Sequence, residues 1–126
     1  MKGQKRFSWR ARGRSFVFAF HGIRQLLRCE HNAWIHSVCA VLAVALGLWL
    51  DISAMEWVAV VVLIGLVLAM EAVNSAVEAL CDKVSPQRDP LIEKSKDLAA
   101  AAVLLVAIAA FICGLIIFLP KILIRL

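Results

Sequence analysis

Leu98-Ala-Ala-Ala-Ala-Val-Leu-Leu-Val-Ala-Ile-Ala-Ala-Phe-Ile-Cys-Gly-Leu-Ile-Ile-Phe-Leu119 runs for 22 residues without a charge. As a helix it is about 33 Å long, which matches the hydrocarbon thickness of a bilayer. Two further apolar stretches precede it. Ile52–Met70 carries one charge, Glu56, near its start, and Ala33–Leu50 has His36 inside it. Both are long enough to span. With 63% of its 126 residues apolar, the chain reads as an all-α integral membrane protein with three transmembrane helices. Its length predicts a single domain over residues 1–126.

Charge orients these spans. Eight of the fourteen Lys and Arg lie in the first 28 residues, four lie between residues 83 and 96, and two follow the third span. The connection between the first two spans has Asp51 and no Lys or Arg. The positive-inside rule therefore predicts a multi-pass membrane protein with its N-terminus and the 83–96 segment cytoplasmic. Lys121 and Arg125 fall outside as a mild exception. Beside three spans, the basic N-terminus reads as an anchor on anionic lipid and not as a nucleic-acid arm. The first apolar run starts too late and is too long for a cleaved signal peptide.

Met1–Phe7 reads as a basic, disordered tail. Phe16, Phe20, Ile23 and Leu27 then recur at helical spacing against Arg14, His21, Arg24, Gln25 and Arg28. That pattern predicts an amphipathic surface helix over 8–28, lying on the membrane; a helix packed on the bundle is the plainer alternative. Membrane helices are expected over 32–50, 54–82 and 92–119. Ser53-Ala-Met-Glu56 fits a capping box, which gives Glu56 a structural role. Trp34, Trp49 and Trp57 mark the two interfaces. Prolines at 86 and 90 break the chain after the second helix, and the third is expected to end before Pro120. The four cysteines form no CxxC pair and read as small packing residues. His21, His31 and His36 lie on different faces or segments and read as surface and packing residues. Gly22, Gly65 and Gly114 are expected at close helix contacts.

The polar exception within the spans is Glu71-Ala-Val-Asn74-Ser75-Ala-Val-Glu78-Ala-Leu-Cys-Asp82. At 100° per residue, Glu71, Asn74, Ser75, Glu78 and Asp82 occupy a stripe about 100° wide, and apolar residues fill the remainder. Acids on a membrane helix are costly unless they face a polar site. A solvated helix end accounts for Asp82 but not for Glu71. Lys94-Ser-Lys96-Asp97 opens the third span, and Glu30 precedes the first. All three groups arrive at one depth on one side. Phosphoryl transfer wants that set: carboxylates for Mg²⁺ on a nucleotide, a further carboxylate to deprotonate a hydroxyl, and lysine for phosphate oxygens. No GxxxxGK[ST] or GxGxxG is present, which excludes P-loop and protein-kinase folds.

Glu71-Ala-Val-Asn74-Ser75-Ala-Val-Glu78 with Asp82, followed by Lys96-Asp97-Leu-Ala-Ala-Ala-Ala-Val, resembles the prokaryotic diacylglycerol kinase family, which includes undecaprenol kinases. The likeness covers nearly the whole chain, through Phe118-Leu-Pro-Lys121. It implies a homotrimeric bundle of three-span subunits that uses MgATP to phosphorylate a membrane lipid alcohol. It implies Glu71 as general base, Glu30 and Glu78 as Mg²⁺ ligands, and Asn74, Lys96 and Asp97 around the phosphates and reacting centre. Gln87, Arg88 and Asp89 would lie near the nucleotide, and Arg10 or Arg12 would serve where the family has an N-terminal arginine. Diacylglycerol and undecaprenol are both open as acceptors; the Glu56-Trp57 start and the Ile-Phe-Leu-Pro-Lys tail are more like the undecaprenol kinase branch. The rival reading is a small oligomeric transporter with intramembrane carboxylates, which predicts acids near mid-span. A purely structural subunit leaves the polar stripe unexplained.

Overall fold

The apolar runs become three long helices, in a computed structural model that describes Gly3 and residues 6–126. Much of the expected basic tail, at residues 1, 2, 4 and 5, lies outside the described residues. The elements are α1 (Trp9–Cys29), α2 (His31–Leu50), α3 (Ala54–Val84) and α4 (Pro90–Arg125), and every regular element among the described residues is helical. α2, α3 and α4 are each long and apolar enough to cross a membrane.

Ser8 caps α1 by accepting from the Ala11 amide at 3.3 Å. Phe16, Phe20, Ile23 and Leu27 stay exposed along this helix, and only Leu26 is buried. The bundle does not cover the apolar stripe, as suits a helix lying on lipid. Glu30 alone separates α1 from α2, in extended backbone (φ −104°, ψ 112°). Across this corner the Trp34 indole N–H donates to the Leu27 carbonyl. That bond satisfies one of the carbonyls left over at the end of α1.

The opposite end of the bundle is a tight α2–α3 turn. Asp51 adopts the left-handed conformation (φ 51°, ψ 57°), and the Ile52 amide reaches back to the Gly47 carbonyl at 3.2 Å. This is the hydrogen bond of a Schellman stop. The capping box forms in full: Ser53 Oγ accepts from the Glu56 amide at 3.2 Å, and Glu56 Oε1 accepts from the Ser53 amide at 2.9 Å. The buried core lies here too, with Leu50, Ile52, Val60, Ile117 and Phe118 packed beside Trp57 and Ile122. A Cβ at Gly47 would stand 2.7 Å from the Trp57 ring, so the close approach is made there. The three glycines expected at close contacts do not make them within one chain. Gly22 and Gly65 have open space where a Cβ would stand, and Gly114 meets only Phe118, at 4.0 Å.

α4 does not end before Pro120, as the proline rule suggested; it continues to Arg125. Proline removes one amide donor, but the final turn is held from outside. Lys121 Nζ lies 3.3 Å from Glu56 Oε1, and the Arg125 guanidinium lies 5.3 Å from the centre of the Trp49 ring. Both contacts fasten the end of α4 to the α2–α3 turn. α3 packs chiefly on α4. α2 meets α4 more loosely, leaving an apolar cleft of about 540 Å³ that runs from His36 to Ile122.

Candidate active site

The polar groups gather at the end away from that turn, where α1, the α3–α4 connection and most Lys and Arg lie. Glu71 is 2% exposed, and Asn74, one turn on, is 7% exposed. Asn74 Nδ2 donates to Glu78 Oε1 at 3.3 Å, so an i, i+4 pair links the buried part of the stripe to exposed Glu78. Glu71 Oε1, Asn74 Oδ1, Ser75 Oγ and Ser37 Oγ are buried without a hydrogen-bond partner. Buried polar atoms are nearly always paired, so four at one end of a membrane bundle mark a candidate site.

Across the helix interface, His36 Nε2 of α2 stands 3.3 Å from Glu71 Oε1. This is ion-pair distance, with the ring N–H turned off the line of a hydrogen bond. Glu30, at the α1–α2 corner, and Glu78 are within electrostatic reach of Glu71. Three carboxylates from the corner and α3 therefore share one neighbourhood, although no cage of three metal-ligating side chains forms among the described residues.

Further toward the α3–α4 connection lies a polar hollow of about 260 Å³, with Asp82, Gln87, Arg88, Asp89 and Lys96 among its lining residues. Lys96 Nζ pairs with Asp82 Oδ1 at 2.5 Å, bringing the last acid of the α3 stripe to the first turns of α4. Arg88 Nε pairs with Glu93 Oε1 at 2.9 Å. Asp89 caps α4, its Oδ1 accepting from the Leu91 and Ile92 amides at 2.8 and 3.3 Å. Pro90, first in the helix, has no amide to satisfy. Asp97 is exposed and, among the described residues, makes no hydrogen bond or ion pair within the chain.

The structure thus brings Glu30, Glu71, Asn74 and Glu78 into one neighbourhood, sets Gln87, Arg88, Asp89 and Lys96 around a hollow at the same end of the bundle, and leaves Asp97 apart. Arg10 and Arg12 lie on exposed turns of α1, with Arg12 5.9 Å from the Phe7 ring centre. Sequence reasoning missed His36 and Ser37. They lie on α2, and periodicity along α3 carries no trace of them. The acids sit at one end of the spans, not at mid-span as a transporter would need.

Residues 17–118 match the family model described as Prokaryotic diacylglycerol kinase. The chain is 37% identical over 108 residues to the undecaprenol kinase of Bacillus subtilis, covering 86% of this chain and 88% of the relative. It is 36% identical over 87 residues to the diacylglycerol kinase of Escherichia coli, covering 64% of this chain and 71% of the relative. It is 33% identical over 110 residues to a diacylglycerol kinase of Synechocystis, covering 86% of this chain and 63% of the relative.

Proposed function

This chain belongs to the prokaryotic diacylglycerol kinase family and is a membrane lipid kinase, and from that premise we propose that its bundle-end carboxylates carry phosphoryl transfer from MgATP to a lipid hydroxyl. The observation that carries the reading is Glu71. It is a carboxylate 2% exposed in a membrane helix, and on the same helix Asn74 Oδ1 and Ser75 Oγ are also buried without a hydrogen-bond partner.

The roles follow from depth. Seven residues separate Glu71 from Glu78, about 10 Å along the helix. A lipid hydroxyl reaches the deeper position more easily than a triphosphate does, so Glu71 is the base. It takes the hydroxyl proton as the oxygen attacks the γ-phosphorus and the bond to the β–γ bridging oxygen breaks, releasing ADP. Glu78 and Glu30 offer hard carboxylate oxygens, the donor type Mg²⁺ prefers. One or two carboxylates plus nucleotide phosphates commonly hold Mg²⁺, so Glu78 and Glu30 would hold it without a protein cage, and it would supply neutralisation of phosphate charge. Asn74 orients Glu78 through its amide. Lys96 faces the phosphates as a point charge, and Gln87, Arg88 and Asp89 border the nucleotide.

The acceptor in this reading is undecaprenol. The likeness spans 88% of the relative named undecaprenol kinase, against 71% and 63% of the Escherichia coli and Synechocystis diacylglycerol kinases. The enzyme works in the bacterial inner membrane with its N-terminus and the 85–89 connection in the cytoplasm, where ATP is. It assembles as a homotrimer in this reading, as the family resemblance implies. Purified protein given labelled MgATP and each lipid in mixed micelles tests the proposal. At least tenfold higher kcat/KM for undecaprenol is expected. The reverse preference reassigns the acceptor, and label in neither lipid overturns the mechanism.

A further inference from the structure

A carboxylate buried in a membrane helix needs a compensating partner, because desolvation penalises its charge. The α3 stripe does not supply one for Glu71. Asn74 turns its amide to Glu78 at 3.3 Å, Ser75 Oγ is unpartnered, and Lys96 is engaged by Asp82 at 2.5 Å. What reaches Glu71 is His36, from a different helix. Its Nε2 stands 3.3 Å from Oε1, and its side chain is 22% exposed where the apolar cleft meets the polar site. We infer that His36 is a positioning residue: it holds one oxygen of Glu71 against α2 and leaves the other to take the proton of the lipid hydroxyl. The inference rests on the reading of Glu71 as general base.

A glutamate has three side-chain torsions, and attachment to α3 alone does not choose among its rotamers. A ring fixed on a second helix does. The ring N–H is off line here, and such bonds often tighten only when substrate is bound. Misplacing a reacting group by about 1 Å can cost on the order of 10²-fold in rate, which sets the size of the effect. A ring that merely packs the end of the cleft predicts something different. An apolar residue of similar size would then serve as well as histidine.

Four variants in the full-length protein decide it: His36→Leu, His36→Gln, His36→Asn and the double variant His36→Leu/Glu71→Gln, assayed for kcat and for KM of MgATP. His36→Leu should lower kcat by about 10–100-fold with KM for MgATP unchanged. His36→Gln keeps an N–H donor at similar reach and should recover most of that loss, whereas the shorter His36→Asn should not. In the Glu71→Gln background, His36→Leu should cost nothing more, because the group it positions is gone. Wild-type kcat in His36→Leu, or its full loss added on top of Glu71→Gln, overturns the inference while the base reading stands. Near-normal turnover in Glu71→Gln alone would instead remove the base reading itself. Elution volume and thermal melting in detergent monitor folding. If His36→Leu does not fold, the contrast between Gln and Asn decides, and equal kcat in those two overturns the proposal.

Discussion

Three glutamates on α3 show how one side chain takes different work from its surroundings. Glu56 is committed to its capping box and to Lys121, at the end remote from the site. Glu78 is exposed and accepts from Asn74. Glu71 is buried with an oxygen unbonded. Removing the charge from each should therefore read out differently. Glu71→Gln keeps the shape but loses the proton acceptor, and should lower turnover by roughly 10²–10⁴-fold with MgATP binding intact. Glu78→Gln should weaken Mg²⁺-dependent nucleotide binding, with part of the activity recovered at higher Mg²⁺. Steady-state kinetics across a Mg²⁺ titration separates the two, and identical profiles would refute the division of roles. The stripe itself was legible in the sequence because all its members share one helix and one period. His36 was not legible, because its pairing crosses between helices, and spacing within α2 gives no sign of what faces it.

At the scale of the element, the α2–α3 turn holds much of the buried core and is remote from the chemistry. Its devices separate stability from turnover. Ser53→Ala removes the cap oxygen and should cost about 1 kcal/mol of stability with kcat unchanged, measured by thermal melting and kinetics on the same preparation. Gly47→Ala sets a methyl 2.7 Å from the Trp57 ring. Overpacking of this kind costs about 1–3 kcal/mol, and displacement of Trp57 should shift the intrinsic fluorescence. An unaltered melting point for Gly47→Ala would show that the ring moves aside freely. The capping box was readable in Ser53-x-x-Glu56 because it is local. The course of α4 was not. A proline rule taken from the local chain stopped the helix at Pro120, but Lys121–Glu56 and Arg125–Trp49 hold the last turn from another part of the fold. Gly47 escaped notice for the same reason, since only the antiparallel return of α3 puts Trp57 against it.

For the whole molecule, the question is which residues of a site come from one subunit. Glu30, Glu71 and Glu78 share a neighbourhood within a single chain. Asp97 lies at the same end of the bundle, exposed and without a polar partner of its own among the described residues. In the proposed trimer, an acid so placed is free to enter a neighbour's site. In a cyclic trimer each subunit presents the same face to the next, so three sites can each take the carboxylate cluster from one chain and Asp97 from its neighbour. Glu71→Gln and Asp97→Asn, each inactive alone, should then complement. On random one-to-one mixing a site is whole when the cluster-bearing chain and its neighbour each carry the intact half, which happens in about a quarter of sites in such a ring. Activity near that fraction of wild type is expected after co-refolding. Glu30→Gln mixed with Glu71→Gln should recover nothing, since both residues belong to one chain's cluster. If the Glu30 pair complements and the Asp97 pair does not, while mixed trimers demonstrably form, the cluster is split between subunits and Asp97 serves its own chain.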